Sequence, residues 1–227
     1  MKKSSFLFST CLILLLGCSK KNDNLVVTKD TSHVQGSKLK SATVSSTFPG
    51  YSFCLGVPWI KQFPPGDING TKNCGQTCAV MLSGYFNGTA VNSAAIVAED
   101  NWLASYYNDA RFNNATGNSY VTTAAQIQTL LKQRHGLTAT PFNGSTVDDM
   151  LAQAYAGKPC IANVMIKAGL LATSGGAMHW TLVVGFDGTY VITNDPGTQY
   201  GFNKKYTKAE FTASWTVGNK LYMTVSK

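Results

Sequence analysis

The chain predicts an α+β fold. Helical patterns with capping signals crowd the first half of the domain, and apolar strand-like runs crowd the second half. The two kinds of segment do not alternate, which argues against a doubly wound parallel sheet. The domain is placed at residues 49–227, long enough for one substantial core. Asn73 reads as the N-cap of a helix over residues 73–86, with Gly88 as its stop. A weaker helical pattern covers 92–106. Thr123-x-x-Gln126 is a capping box, followed by Ile127, Leu130, Leu131 and Arg134 on one face before Gly136. Thr146-x-x-Asp149 opens another helix, with Val147, Met150, Leu151 and Ala154 as its stripe and Gly157 closing it. Strands are expected at 160–166, 180–186, 189–193 and 220–225.

The first residues read as an address. Lys2 and Lys3 precede an apolar run from Phe6 to Leu16, then Gly17-Cys18. A basic start, a short apolar stretch and a small residue describe a secretory signal over residues 1–17. The run is about half of the ~20 residues a spanning helix needs. Leu15-Leu16-Gly17-Cys18 resembles a bacterial lipobox. That resemblance implies lipidation at Cys18 and a mature protein anchored to a membrane without crossing it. Residues 18–48 are rich in Lys, Ser, Thr and Asn without an apolar period, and read as a tether. The expected location is the bacterial cell envelope, lipid-anchored and outside the cytoplasm, where disulfides can persist.

The formal charge of +8 falls to +6 once Lys2 and Lys3 are removed. No arginine-rich stretch, zinc-finger spacing or Gly-rich phosphate loop accompanies it. No nucleic-acid partner, cofactor or metal is therefore expected.

Chemistry concentrates in three segments. Asn73-Cys74-Gly75-Gln76-Thr77-Cys78 puts the Cys74 thiol at the first turn of a helix, where free N–H groups and the dipole favour a thiolate. Cys78, one turn deeper, reads as packing. A nucleophilic Cys needs a base. His33 lies in the tether, and His135 suits the end of its helix as a capping cation. His179, at the start of an apolar strand, is left as the base. A three-residue loop at Phe186-Asp187-Gly188 would pair Gly185 with Thr189 and set His179 directly opposite Asp195. A carboxylate there would hold the imidazole tautomer. A two-residue loop at Asp187-Gly188 would put His179 and Asp195 on opposite faces.

Taken together, Cys74-Gly75-Gln76-Thr77-Cys78 with Met81, Gly157-Lys158-Pro159, the run from His179 to Phe186, and Asn194-Asp195-Pro196 resemble papain-like cysteine peptidases. The nearest likeness is to the bacteriocin-leader peptidases and their stand-alone relatives, over roughly residues 56–227. The resemblance implies helices carrying the nucleophile at a helix N-terminus, packed on a C-terminal antiparallel sheet. It implies Cys74 as nucleophile, His179 as general base and acid, Asp195 as its orienter, and Gln62 as an oxyanion donor. Gln62 stands twelve residues before Cys74, with residues 66–71 as an insertion relative to that branch. Gln76 stands where the family often has Pro. The implied reaction is acyl transfer through a thioester, on a peptide or protein substrate and by a monomer.

Four cysteines remain in the domain: Cys54, Cys74, Cys78 and Cys160. With Cys74 as nucleophile at most one bridge forms, Cys54 with Cys78 or with Cys160. Two bridges would leave no nucleophile. Other readings stay open: an NlpC-type cell-wall amidase or endopeptidase, a transglutaminase-type acyl transferase, or an inactive lipid-anchored binding module. In the last, Trp59, Trp102, Tyr106 and Tyr107 would line a ligand groove.

Overall fold

The computed structural model describes residues 52–63, 72–112 and 121–227. Residues 1–17 and 18–48, with Cys18 and His33, lie outside the described residues, as do residues 66–71. Among those described, three helices lead: α1 (Cys74–Asn87), α2 (Ser93–Tyr107) and α3 (Ala124–His135). The strands are β1 (Phe53–Cys54), β2 (Thr138–Phe142), β3 (Cys160–Lys167), β4 (Leu170–Leu171), β5 (Ala177–Asp187), β6 (Tyr190–Asn194), β7 (Lys204–Thr207) and β8 (Tyr222–Ser226). Two more helices, α4 (Val147–Tyr155) and α5 (Lys208–Val217), fall between strands. The result is the expected α+β order, with helices first and a sheet after them.

The sheet is antiparallel, in the order β2-β8-β3-β5-β6-β7, with β1 beside β5 and β4 beside β3. Its two faces carry two cores. One packs Met81 and Leu82 of α1 and Ile127, Leu130 and Leu131 of α3 on Ile161, Leu182, Val184 and Met223. The other packs Met150 and Leu151 of α4 and Phe211 and Trp215 of α5 on Ala162, Val183, Phe186 and Tyr222. Adjacent strand residues divide between the two clusters, as a pleat requires.

The capping boxes Thr123/Gln126 and Thr146/Asp149 both form. A third, Thr207/Glu210, starts α5, a helix that the same pattern in the sequence would have disclosed. Gly88 and Gly136 end α1 and α3 in the left-handed region, at φ 68° and 66°. Asn73 occupies the expected N-cap position of α1 but does not cap it with its side chain. That side chain instead donates to Asp100 Oδ2 at 3.0 Å.

The expected β5–β6 register is also corrected. Asp187 pairs with Tyr190 across a two-residue Gly188-Thr189 turn, and Gly185 pairs with Ile192, not Thr189. That turn alone would put His179 and Asp195 on opposite faces. The register shifts between Val183 and Gly185, so Val183 pairs with Thr193 and Leu182 with Asn194. This bulge restores the parity. It shows in the packing, because Val184 joins the first core and Phe186, two residues on, joins the second.

Beside the bulge, a Cβ at Gly185 would lie 2.3 Å from the Phe53 carbonyl oxygen of β1. Gly185→Ala is expected to force β1 away and cost roughly 1–3 kcal/mol, as overpacking does. Thermal unfolding followed by circular dichroism should show a lowered Tm, and an unchanged Tm would refute the close approach.

Candidate active site

β6 stops at Asn194, opposite Leu182. Further toward the start of β5, its edge has no β6 partner. The N-terminus of α1 occupies that gap. The Trp180 N–H donates to the Cys74 sulfur, joined by the Gly75 N–H, and the Cys78 thiol donates to the Trp180 carbonyl at 3.6 Å. Cys74 is thereby held level with its strand neighbour His179, and the two side chains are hydrogen-bonded.

His179 Nε2 bonds Asp195 Oδ1 at 2.8 Å. With Nε2 committed, Nδ1 is the ring nitrogen that meets the thiol. Asp195 is held from several sides. The Gly197 N–H donates to Oδ1 at 2.8 Å, the Tyr206 hydroxyl donates to Oδ2 at 2.9 Å, and Trp59 Nε1 donates to the Asp195 carbonyl at 2.9 Å. Gly197 also backs the imidazole: a Cβ there would lie 2.8 Å from His179 Cε1. Cys74, His179 and Asp195 are 3%, 2% and 1% exposed, so their mutual charges act with little water between them.

The electrostatics follow from those contacts. Burial opposes a Cys74 thiolate, but the His179 bond and charge, with the two backbone N–H groups, lower its pKa below the ordinary thiol value. Burial likewise opposes an imidazolium, but Asp195 and Cys74 together push His179 up to about 10. Asp195 is held below the usual carboxylate range against its burial, by His179, the Gly197 N–H and the Tyr206 hydroxyl. Cys78 moves the other way: burial and the nearby Cys74 and Asp195 charges raise it, so it stays a thiol. The arrangement supports a thiolate–imidazolium pair backed by a carboxylate.

Gln62 is buried, and its backbone N–H donates to the Pro196 carbonyl at 2.9 Å. It sits against the residue that follows Asp195. Trp59, half-buried, belongs to the same segment and is a partner of Asp195 through its indole N–H. Trp102 stacks on Tyr106 at 4.7 Å and Tyr107 meets Tyr106 edge-on at 5.0 Å. His135, expected only to cap its helix, meets Glu99 at 3.2 Å beside Arg134 at 2.8 Å.

None of Cys54, Cys74, Cys78 and Cys160 is in a disulfide, so neither candidate bridge, Cys54 to Cys78 or Cys54 to Cys160, forms. Their thiols are directed elsewhere: Cys54 to Asn203 Oδ1 at 3.3 Å, Cys160 to the Met150 and Lys158 carbonyls at 3.5 and 3.4 Å. Among the described residues no three His, Cys, Asp or Glu side chains converge as metal ligands. Tyr206 escaped the sequence reading, although the Thr207-x-x-Glu210 box would have placed a strand end beside it.

No protein-family model and no curated protein matches the chain. A solved structure does. A crystal structure from Bacillus anthracis, provisionally described as a C39-like peptidase, aligns with a TM-score of 0.53 at 18% identity. The alignment covers 78% of this chain and 98% of that one. The chain has the C39-like, papain-like fold.

Tyr206→Phe keeps the ring and removes one donor from Asp195. A hydrogen bond to a buried charge is worth about 1.5–3 kcal/mol. Chemical denaturation should show a loss of that order, with the m-value unchanged. A loss below about 0.5 kcal/mol would mean that water replaces the hydroxyl.

Proposed function

We propose that the chain is a thiol hydrolase that cleaves peptide bonds, with Cys74 as nucleophile, His179 as general base and acid, and Asp195 as orienter. The observation that carries this reading is the His179 imidazole, bonded on one side to the Cys74 thiol and on the other to buried Asp195. The fold shared with a C39-like peptidase accords with it.

His179 Nδ1 takes the Cys74 proton, and the thiolate attacks the carbonyl carbon of the scissile amide. The carbonyl π bond opens, and its electron pair settles on oxygen. The N–H groups at the start of α1 and the Gln62 side chain are the donors assigned to that oxyanion; one such donor is typically worth about 3–4 kcal/mol. The C–N bond then breaks, and the amine leaves with the proton held by His179. Water, deprotonated by His179, attacks the thioester and releases the acid and the Cys74 thiol. Asp195 keeps Nε2 protonated and facing away from the sulfur throughout. The bacteriocin-leader-like branch, the lipid anchor at Cys18 and an extracytoplasmic location complete the proposal from sequence resemblance. Peptidoglycan stem peptides are the alternative substrate.

The pH dependence of Cys74 alkylation by iodoacetamide tests the ion pair. Alkylation should set in below the pH range of an ordinary thiol, whose pKa is about 8.5, and His179→Ala should move the onset up to that range. Identical profiles in the two proteins would sink the nucleophile. Between the lowered Cys74 pKa and the His179 value of about 10, the pair stays zwitterionic. Hydrolysis of casein or peptide libraries should therefore rise through the Cys74 limb and decline only toward pH 10. Cys74→Ala should lose about a thousandfold or more. Cleavage of peptidoglycan but not casein would select the cell-wall alternative.

A further inference from the structure

A chain of buried hydrogen bonds runs from the residue before Cys74 to the residue after His179 without passing through either. Asn73 Nδ2 donates to Asp100 Oδ2 at 3.0 Å, and Gln76 Nε2 donates to Asp100 Oδ1 at 2.8 Å. The Thr122 hydroxyl donates to Gln76 Oε1 at 3.1 Å, and Trp180 Nε1 donates to the Thr122 carbonyl at 2.9 Å. Each of these five side chains is at most 4% exposed. The chain draws together α1, α2, the residue ahead of the α3 cap, and β5.

Asp100 sets the direction of the bonds around it. Both of its carboxylate oxygens accept, so each amide turns an N–H toward it. Gln76 is then left with its oxygen toward Thr122. A buried carboxylate is a costly way to gain stability alone, since apolar packing of the same volume often serves as well or better. What the carboxylate adds is a defined geometry on both sides of Cys74: Asn73 precedes it and Gln76 follows one residue later. Gly75, between them, fits so closely that a Cβ would lie 2.1 Å from Thr122 Oγ1. Gln76 thus has structural partners in Asp100 and Thr122.

We propose that Asp100 is a positioning residue that sets the separation of Cys74 and His179 through this chain. The proposal rests on the reading of Cys74 as a nucleophile activated by His179. Asp100 touches neither reacting atom. It acts by holding the first turn of α1 against the Trp180 segment of β5, and a misplacement of about 1 Å at such a site can cost a hundredfold in rate.

The test is the pH profile of Cys74 alkylation by iodoacetamide in the full chain, alongside the melting curve of each variant. Asp100→Ala should move the onset of alkylation up by roughly one pH unit, about tenfold slower reaction on the acid limb. Asp100→Asn should recover more than half of that shift. The Gln76 amide can rotate to accept from the new amide, while Asn73 still donates to the new oxygen. A purely structural role would lower Tm and leave the profile in place, so a folded Asp100→Ala protein with the unmodified profile overturns the proposal. An Asp100→Asn shift as large as that of Asp100→Ala also overturns it, because charge and not geometry would then be responsible. If Asp100→Ala does not fold, Trp180→Phe decides. It removes the last donor and should give the same upward shift; an unshifted profile refutes the chain. A wild-type profile with no depressed onset brings down the nucleophile reading and this proposal together, whereas a depressed onset with unmoved variants brings down this proposal alone.

Discussion

Among the described residues, β5 has no strand on its β6 side beyond Leu182, and the Trp180 N–H and carbonyl are left to two sulfurs of α1. The rest of the site depends on that substitution of a helix end for a strand. It satisfies backbone groups that burial would otherwise penalise. It also brings the positive end of a helix to the start of β5, where His179 stands. Had β6 run two residues further, its ladder would have closed this edge to Cys74. Asp195 can also reach His179 because the chain leaves the ladder there and turns, its N–H donating to the Gly201 carbonyl at 2.9 Å.

Three ionisable groups buried together are costly unless each charge finds a partner. Here the carboxylate has three donors, the imidazole has an acceptor on each side, and the sulfur has two backbone N–H groups besides the imidazole. The contrast with Cys78 is instructive. It lies one turn along the same helix, equally buried, with two nearby negative charges and no cation, and its thiol is pushed up where that of Cys74 is drawn down. Position relative to His179, not burial, separates the two cysteines.

Much of this was legible in the residues. The helix boundaries followed from Thr-x-x-Gln and Thr-x-x-Asp boxes and left-handed glycines, because capping is a local interaction between residues three apart. Cys74 stood out because a helix start is also local. The pairing of His179 with Asp195 was foreseen from a register that the structure does not have. A two-residue turn broke the parity, and a bulge at Val183–Gly185 restored it. Neither event leaves a distinctive residue pattern, and Gly185 marks the place only in retrospect. Asn73 looked like a cap, but a buried carboxylate 27 residues away claimed its amide.

The sequence by itself determined which residues can do chemistry and which local segments they sit on, since thiol, imidazole and carboxylate are fixed by residue type and helix starts by near neighbours. It also determined the near-continuous apolar runs of strands buried on both faces of the sheet. Only the tertiary structure decided that β6 ends in time for α1 to dock on β5. It alone supplied Tyr206, Trp59 and Gly197 around Asp195, and paired Asp100 with Asn73 and Gln76. It left Cys54, Cys78 and Cys160 unbridged by giving their thiols separate partners. These outcomes depend on distances between residues far apart in the chain, which are set by how two helical layers and a sheet pack as solids.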